Sequence, residues 1–198
     1  RGATPLWGLT ALIPAALLIS FGYVPVRAQI FTYLFFILTL YSLESVRKTQ
    51  EWIGLAWLIP VPILWCNLHG GFPAGLALPF LYGLGEGIAG RKARPFFIFG
   101  AAAAFATLIN PYGASYWQFI FHSVTMPRLD INEWASLFRA INENIYAVPS
   151  WIFIASAFIT LFSYAFRKKR DCAEWLVVAM TLYVGIKHIR HTVFFGLV

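Results

Sequence analysis

Residues 149–166 read PSWIFIASAFITLFSYAF, a run of eighteen residues without a charged side chain, and the basic run RKKR follows at 167–170. A helix of about 20 mainly apolar residues is long enough to cross the hydrocarbon core of a bilayer. Basic residues just beyond such a helix are typical of its cytoplasmic end. The stretch therefore predicts a transmembrane helix. The rest of the chain contains further apolar stretches, for which we make the same prediction.

The composition of the whole chain supports a membrane protein. Of the 198 residues, 60% are hydrophobic and 12% are charged, and the mean hydropathy is +0.70. Soluble domains carry about 25% charged residues, and a chain of this size has too little interior to bury so much apolar surface. The composition excludes a typical soluble enzyme, a disordered protein and a nucleic-acid-binding protein, although the net charge is +7.

Other apolar stretches accompany residues 149–166, and we predict an all-α polytopic transmembrane helix bundle of about seven spans. The third and fifth spans are short, and Pro60 and Pro62 should kink the third. We expect residues 1–198 to form a single transmembrane domain that is an internal piece of a longer protein, with an eighth span beginning near Thr192. The predicted spans are Trp7–Tyr23, Ala28–Val46, Trp52–Cys66, Phe72–Ala89, Pro95–Ile109, Pro149–Phe166 and Ala173–Ile186.

If the chain crosses the membrane at each predicted span, its basic residues divide unequally between the two sides of the membrane. The runs RK (47–48), RKAR (91–94) and RKKR (167–170), with Arg1, place ten of the fifteen Lys and Arg residues on one side. The positive-inside rule predicts that this side is cytoplasmic. All four histidines then lie on the outer side, with most of the chemically capable polar groups. The remaining basic residues, also outside, are Arg27, Arg128, Arg139, Lys187 and Arg190.

A short outer turn, NLHGGFP at residues 67–73, joins the third and fourth predicted spans. Pro73 suits the first turn of a helix whose free N–H groups point outward, which makes a place for an anion beside His69. We predict that Asn67 and His69 line a phosphate or pyrophosphate pocket. The alternative is a tight turn in which the two side chains satisfy loop carbonyls.

Cationic and amide groups at other outer span ends are further candidates for substrate binding. Arg27 and Gln29 precede the second span, and the cluster KHIRH at 187–191 follows the seventh. Arginine binds phosphate in bidentate fashion; the alternative is contact with lipid headgroups. His188 and His191 have metal-ligand spacing, but no third ligand is near. The candidates in these segments are Arg27, Gln29, Lys187, Arg190 and His191.

The predicted outer loop 110–148 is long enough to suggest a function. Asn110-Pro-Tyr112-Gly ends the fifth span, where it forms either a cavity lining or a simple helix stop. Residues Gly113–Val124 form an amphipathic segment too short to span, and we predict an interfacial helix. Asp130 and Glu133 are closely spaced carboxylates that can act as a general base or hold a divalent metal, unless they are merely solvated.

In their order along the chain, these motifs resemble the middle of a group of bacterial polytopic membrane proteins related to the GT-C glycosyltransferases. The resemblance extends from Arg27 nearly to the end of the chain. The motifs that carry it are Arg27-x-Gln29, LWCNLHGGF (64–72), GLGE (83–86), LINPYG (108–113), Glu133-Trp134 and RHTVFF (190–195).

The resemblance implies transfer of a sugar, with inversion, from a polyprenyl-phosphate donor at the outer face of the bacterial inner membrane. Membrane lipid and the lipid-linked sugar would be the partners, with no cofactor firmly implied. The catalytic base of this class lies in the first outer loop, which we expect to precede Arg1, so Glu133 and Asp130 are substitutes only. A transporter or flippase, or a non-catalytic membrane subunit, is the alternative. Polar groups at span ends favour interfacial chemistry over a carrier.

Overall fold

A computed structural model describes residues 12–20, 27–128, 130–168 and 171–198, and in these ranges all regular secondary structure is helical. Residues 12–20 are helical and are called α1. The all-α prediction is confirmed for these residues. The further helices are α2 (Gln29–Thr49), α3 (Ile53–Trp57), α4 (Pro60–Leu68), α5 (Pro73–Ile88), α6 (Arg94–Ala106), α7 (Ser115–Thr125), α8 (Leu137–Asn142), α9 (Ala147–Ala165), α10 (Cys172–Lys187) and α11 (Thr192–Gly196), with 3₁₀ turns at Asn132–Trp134 and Ile189–His191.

Among the described residues, two helices are long and apolar enough to cross a membrane, namely α2 with 21 residues and α9 with 19. The helices α5 and α10 have 16 residues each and α6 has 13. At 1.5 Å per residue, a 16-residue helix covers about 24 Å, which is less than the roughly 30 Å of the hydrocarbon core. Two spans meet the length requirement, and the seven-span bundle stays a prediction.

Three predicted segments differ in detail from the structure. The predicted kinked span, Trp52–Cys66, is an apolar helical stretch over Ile53–Leu68, in which a turn at residues 58–59, just before Pro60, separates α3 from α4. The segment predicted as an interfacial helix, Gly113–Val124, forms the helix α7, and the loop 110–148 also contains α8. The first predicted span lies partly outside the described residues, with only residues 12–20 observed as helix.

The backbone contacts divide the chain into two compact units, whereas the sequence predicts one domain over 1–198. Unit I contains residues 27–127 and 171–177. Unit II contains the described parts of 1–26, 128–170 and 178–198. The first turns of α10 thus belong to unit I and the rest of that helix to unit II.

In unit I, glycines let α5 and α6 approach closely. The Phe80 ring of α5 lies over Gly100 of α6, and the Phe97 ring of α6 lies over Gly83 of α5, so that a Cβ on either glycine would come within 2.9 Å of the ring. Small residues at helix interfaces favour close packing of membrane helices in this way. The Trp65 ring of α4 covers Gly75 of α5 in the same manner.

An ion-pair network closes one end of unit I. Glu86, only 3% exposed, accepts hydrogen bonds from Arg91 at 2.6 and 2.8 Å and pairs with Arg47 Nε at 3.1 Å. Arg47 also pairs with Asp171 and with Glu44. Glu86 thus has two cationic partners, Arg91 in the loop after α5 and Arg47 near the end of α2. The network joins the ends of α2 and α5 to the start of α10.

Unit II is packed around aromatic rings. The Phe153 ring of α9 covers Gly185 of α10, where a Cβ would come within 2.7 Å, and it meets Phe195 of α11 edge-on at 5.3 Å. Gly196 of α11 lies against α1, with Ala15 O 3.2 Å from its would-be Cβ. The helices α1, α9, α10 and α11 therefore share one apolar core.

We expect Gly85→Ala to destabilise the protein, because a methyl group there would lie 2.3 Å from the backbone nitrogen of Ala173 and would force α5 away from the first turn of α10. Overpacking of this kind costs about 1–3 kcal/mol. The matched control is Gly87→Ala in the same helix, whose methyl group would meet Ala93 at an ordinary 3.6 Å and would gain helix propensity. Thermal unfolding in detergent measures both, and equal melting temperatures would contradict the assigned contact.

Candidate functional site

The turn between α4 and α5 holds His69 in one orientation. The Nδ1 atom of His69 lies 2.7 Å from Thr32 Oγ1, and it accepts the backbone N–H of Gly71 at 3.0 Å. Trp65 Nε1 donates to the same Thr32 hydroxyl at 2.9 Å. A backbone N–H can only donate, so Nδ1 is an acceptor and the ring carries its proton on Nε2. We call Thr32, Trp65, His69 and Gly71 the His69 cluster.

The local sequence explains this geometry. His69 ends α4 in an extended conformation, and Pro73 occupies the start of α5, so that only a short turn remains between the two helices. A Cβ on Gly71 would lie 2.4 Å from Thr32 Oγ1 and 2.9 Å from His69 Nδ1. Glycine at position 71 is therefore required for the imidazole and the hydroxyl to meet.

The cluster modifies the role that the sequence suggests for His69. A proton on Nδ1 would point at the Gly71 N–H, which is itself a donor. The arrangement thus favours the neutral ring, whose Nε2–H donates a hydrogen bond, over a cationic phosphate ligand. His69 is suited to orient an oxygen atom of a ligand rather than to neutralise its charge.

Two other predicted residues lie at the same end of α2. Gln29 is buried and donates from Nε2 to the Tyr33 hydroxyl at 2.6 Å, one helical turn further on. Arg27 lies exposed in the turn that precedes the helix. The structure therefore directs Gln29 into the protein and leaves Arg27 accessible at the surface.

Asn67, Asn110 and Tyr112 serve the turns in which they lie. The Asn67 amide donates to Ile63 O and to Ile109 O, both at 2.8 Å. Asn110 donates to Thr107 O at 2.7 Å and accepts from the Tyr112 backbone N–H at 2.8 Å. The Tyr112 side chain is 72% exposed. For the two asparagines, the alternative of a turn stabilised by side-chain hydrogen bonds describes the structure.

In unit II, cationic side chains gather on one indole ring. The guanidinium carbon of Arg128 lies 4.0 Å from the centroid of the Trp134 ring, and that of Arg190 lies 4.9 Å from it. The rings of His188 and His191 approach Trp134 edge-on at 4.9 and 5.9 Å. We call these five residues the Trp134 cluster. Distances below about 6 Å are typical of cation–π contacts.

Two hydrogen bonds to backbone carbonyls bring the two segments of the Trp134 cluster together. His188 Nδ1 donates to Trp134 O at 2.7 Å, and the Ile189 N–H donates to Ala135 O at 2.9 Å. Burial lowers the pKa of His188, and burial together with the charge of Arg190 lowers the pKa of His191 to about 3. Both imidazoles are therefore neutral near pH 7, while the two guanidinium groups carry the charge.

The remaining candidates lie around this cluster. Glu133 is half-buried in the 3₁₀ turn next to Trp134, and Asp130 is exposed. Lys187 is exposed, with Nζ 6.0 Å from the Tyr183 ring. Within the described residues, no three His, Cys, Asp or Glu side chains form a group suited to a metal ion.

The predicted site residues thus divide between the two units. Sequence reasoning missed Thr32 and Trp65 as partners of His69, and Arg128 and Trp134 as parts of the second cluster. A polar residue inside an apolar helix was the available signal for Thr32. The candidates in unit I are Arg27, Gln29, Asn67, His69, Asn110 and Tyr112, and those in unit II are Asp130, Glu133, Lys187, Arg190 and His191.

Comparisons of the chain with protein-family models, with curated proteins and with solved structures gave no match. The functional interpretation therefore rests on the two clusters, on the hydropathy of the chain and on the motif resemblance.

We expect Thr32→Val to release His69. The substitution keeps the shape of the side chain but leaves the Trp65 N–H without its acceptor and Nδ1 with one donor fewer, which costs about 1–3 kcal/mol. In ¹⁵N NMR of labelled histidine, the Nε2–H form of His69 should dominate in the wild type, and the Nδ1 resonance should shift in the variant because one of its two hydrogen bonds is lost. Thr39→Val, at a buried position of the same helix, is the control. An Nδ1–H form in the wild type would refute the assignment.

We expect acid to weaken the fold through His191. The folded protein keeps this ring neutral to about pH 3, whereas its ordinary pKa is 6.5. The unfolded state then binds more protons between these values, so stability is full above pH 6.5 and decreases as the pH falls, by at most about 1.4 kcal/mol per pH unit. Denaturation curves at pH 7.5 and pH 5 should diverge less for His191→Gln than for the wild type. His122→Gln, at an exposed position of α7, should behave as the wild type, and a pH response unchanged by His191→Gln would disprove the assignment.

Proposed function

We propose that this chain is the membrane-embedded part of a GT-C-like glycosyltransferase that takes a sugar from a polyprenyl-phosphate donor at the outer face of a bacterial inner membrane. In this proposal about seven helices cross the bilayer, and the basic loops at 47–48, 91–94 and 167–170 lie in the cytoplasm. The motif resemblance and the high hydropathy support the class, and the two long apolar helices α2 and α9 are compatible with it.

The observation that carries the proposal is the separation of polar groups along α2. Thr32 lies near one end in the His69 cluster, and Arg47 lies near the other end in the ion-pair network. At 1.5 Å per residue, the two positions are about 22 Å apart along the helix axis. Carriers tend to hold ionisable groups near the middle of the bilayer. Polar groups at the two ends of unit I instead favour chemistry at an interface.

The ion-pair network supports the proposed assignment of the basic loops to one side of the membrane. Arg47 and Arg91 lie in two of the three basic loops assigned to the cytoplasm, and Asp171 directly follows the third. The network joins all three residues. The His69 cluster lies at the opposite end of α2, where this assignment places the outer face.

The proposed reaction is a sugar transfer with inversion, in which the His69 cluster orients the substrate. The bond between the anomeric carbon and the phosphate oxygen breaks, the phosphate leaves with the electron pair, and the acceptor oxygen bonds to that carbon while its proton passes to a carboxylate. In unit I, His69 would donate from Nε2 to an oxygen of the substrate.

The test is binding and transfer with a radiolabelled polyprenyl-phosphate sugar and the full-length protein in detergent. We expect His69→Phe to weaken saturable binding about two- to tenfold, which corresponds to one hydrogen bond of about 0.5–1.5 kcal/mol. His69→Gln, which retains a donor, should lose less. Lys48→Gln is the control, because Lys48 is exposed and pairs with Glu44 at the other end of α2.

Saturable binding with transfer of the label to an acceptor would support the proposal. Absence of binding, or binding that His69→Phe leaves unchanged, would refute the role of the His69 cluster. Binding followed by movement of the intact donor across a vesicle membrane, without transfer, would instead favour a flippase.

A further inference from the structure

We propose that α7 is a membrane-docking helix, which lies at the level of the lipid headgroups and inserts Phe119 and Phe121 into the surrounding bilayer. The sequence predicts an interfacial helix in this segment, and the structure shows which of its side chains are buried and which are exposed. The inference goes beyond the proposed sugar transfer and shares with it only the premise that the chain lies in a membrane.

One face of α7 packs on the turn between α4 and α5. The Cδ1 atom of Ile120, a buried residue, lies 3.0 Å from the position that a Cβ on Gly70 would take. The rings of Tyr116 and Trp117 contact the Phe72 ring at centroid distances of 5.7 and 5.2 Å. These contacts fix which side of α7 faces unit I.

The opposite face of α7 is polar. Ser115, Gln118 and His122 are exposed, and they follow one another at intervals of three and four residues, so they form one row along the helix. With 3.6 residues per turn, this polar row lies about 180° around the helix from Ile120. The polar row therefore points away from the protein, which suits the aqueous side of an interface.

Two aromatic side chains project from the flanks between these faces. Phe119 is 61% exposed and Phe121 is 74% exposed. They are two residues apart, which is about 200° around the helix, so they lie on opposite sides of the polar row. A protein partner that covered both rings would also bury the polar row, whereas lipid surrounds a membrane protein laterally and reaches both flanks. The arrangement thus favours a bilayer as the partner.

The charge pattern of this segment favours the same partner. Residues 95–127, which comprise most of α6 and all of α7, contain no Asp, Glu, Lys or Arg. The 11 residues of α7 cover about 17 Å, which is too short to cross the roughly 30 Å of the hydrocarbon core. An exposed helix that has neither charge nor spanning length fits the membrane interface, where aromatic rings are favoured.

The test measures the membrane depth of single fluorescent labels on the full-length protein in vesicles of phosphatidylcholine and phosphatidylglycerol. The labelled variants are Phe119→Cys, Phe121→Cys and Gln118→Cys in a Cys172→Ser background, and the other native cysteine, Cys66, is buried. The background protein without a new cysteine measures any labelling of Cys66. The quenchers are aqueous iodide and nitroxide lipids labelled either near the headgroup or near the end of the acyl chain.

We expect the shallow nitroxide to quench the labels at positions 119 and 121 at least about twofold more than the deep nitroxide, because an interfacial helix inserts its apolar side chains about 5–10 Å. Iodide should quench the label at position 118 most strongly. The matched control is Phe158→Cys, at an exposed position near the middle of the long apolar helix α9, where the deep nitroxide should quench more than the shallow one.

Three results would overturn the docking of α7: quenching of either flank label by iodide but not by lipid nitroxides, protection of either label from every quencher, which indicates a protein partner, and stronger quenching of either label by the deep nitroxide. If one flank variant fails to fold, the other decides.

Failure of the proposed function is a separate outcome. A protein that shows the expected quenching of α7 and transfers no sugar keeps the docking and loses the function. A protein that transfers sugar while lipid nitroxides quench only position 158 keeps the function and loses the docking. Absence of lipid quenching at all labelled positions would refute the membrane premise that both proposals share.

Discussion

The carboxylate of Glu86 pairs with both Arg47 and Arg91 while being almost completely buried. A buried charge is costly unless it is paired, and removing one partner of such a pair is more damaging than replacing both. Arg47 extends the pairing to Asp171, and although burial opposes it, this pairing holds the pKa of Asp171 below its ordinary value. The ends of α2 and α5 and the start of α10 must therefore keep their relative positions for these charges to stay compensated.

The ion pairs at one end of unit I also affect the arrangement of side chains at its other end. With α2 and α5 held together, Thr32 on the first helix reaches the turn that leads into the second, where His69 and Gly71 lie. The hydrogen bonds from Trp65 through Thr32 to His69 involve neutral groups only. One end of the unit is thus a paired network of charges, and the other is an oriented set of neutral donors, which are groups that can meet a ligand at an interface.

Unit II treats its cations differently. In unit I, Arg47 and Arg91 pair with carboxylates, and in unit II, Arg128 and Arg190 contact the ring of Trp134. Cation–π contact stabilises the positions of the two guanidinium groups.

Much of the local structure was predictable from the sequence, because it depends on contacts between residues close along the chain. The apolar runs and proline positions predicted most of the helices, and the amphipathic run predicted α7. The turn at Asn110 was predictable as one of two alternatives. The sequence did not decide how many helices cross the membrane. An apolar run in the sequence is longer than the helix within it wherever the adjoining turn is also apolar.

The pairs that define the two clusters and the network lie far apart in sequence. Arg47 and Asp171 are separated by 124 positions, Trp134 and His188 by 54, and Thr32 and His69 by 37. No local periodicity indicates which of several polar residues will meet, since the outcome depends on the packing of whole helices. The sequence by itself determined the helical class, the apolar character and the kinds of side chain available for binding. Only the tertiary structure decided which of them combine, because burying a charge or a hydrogen-bonding group requires a partner that packing alone brings within reach.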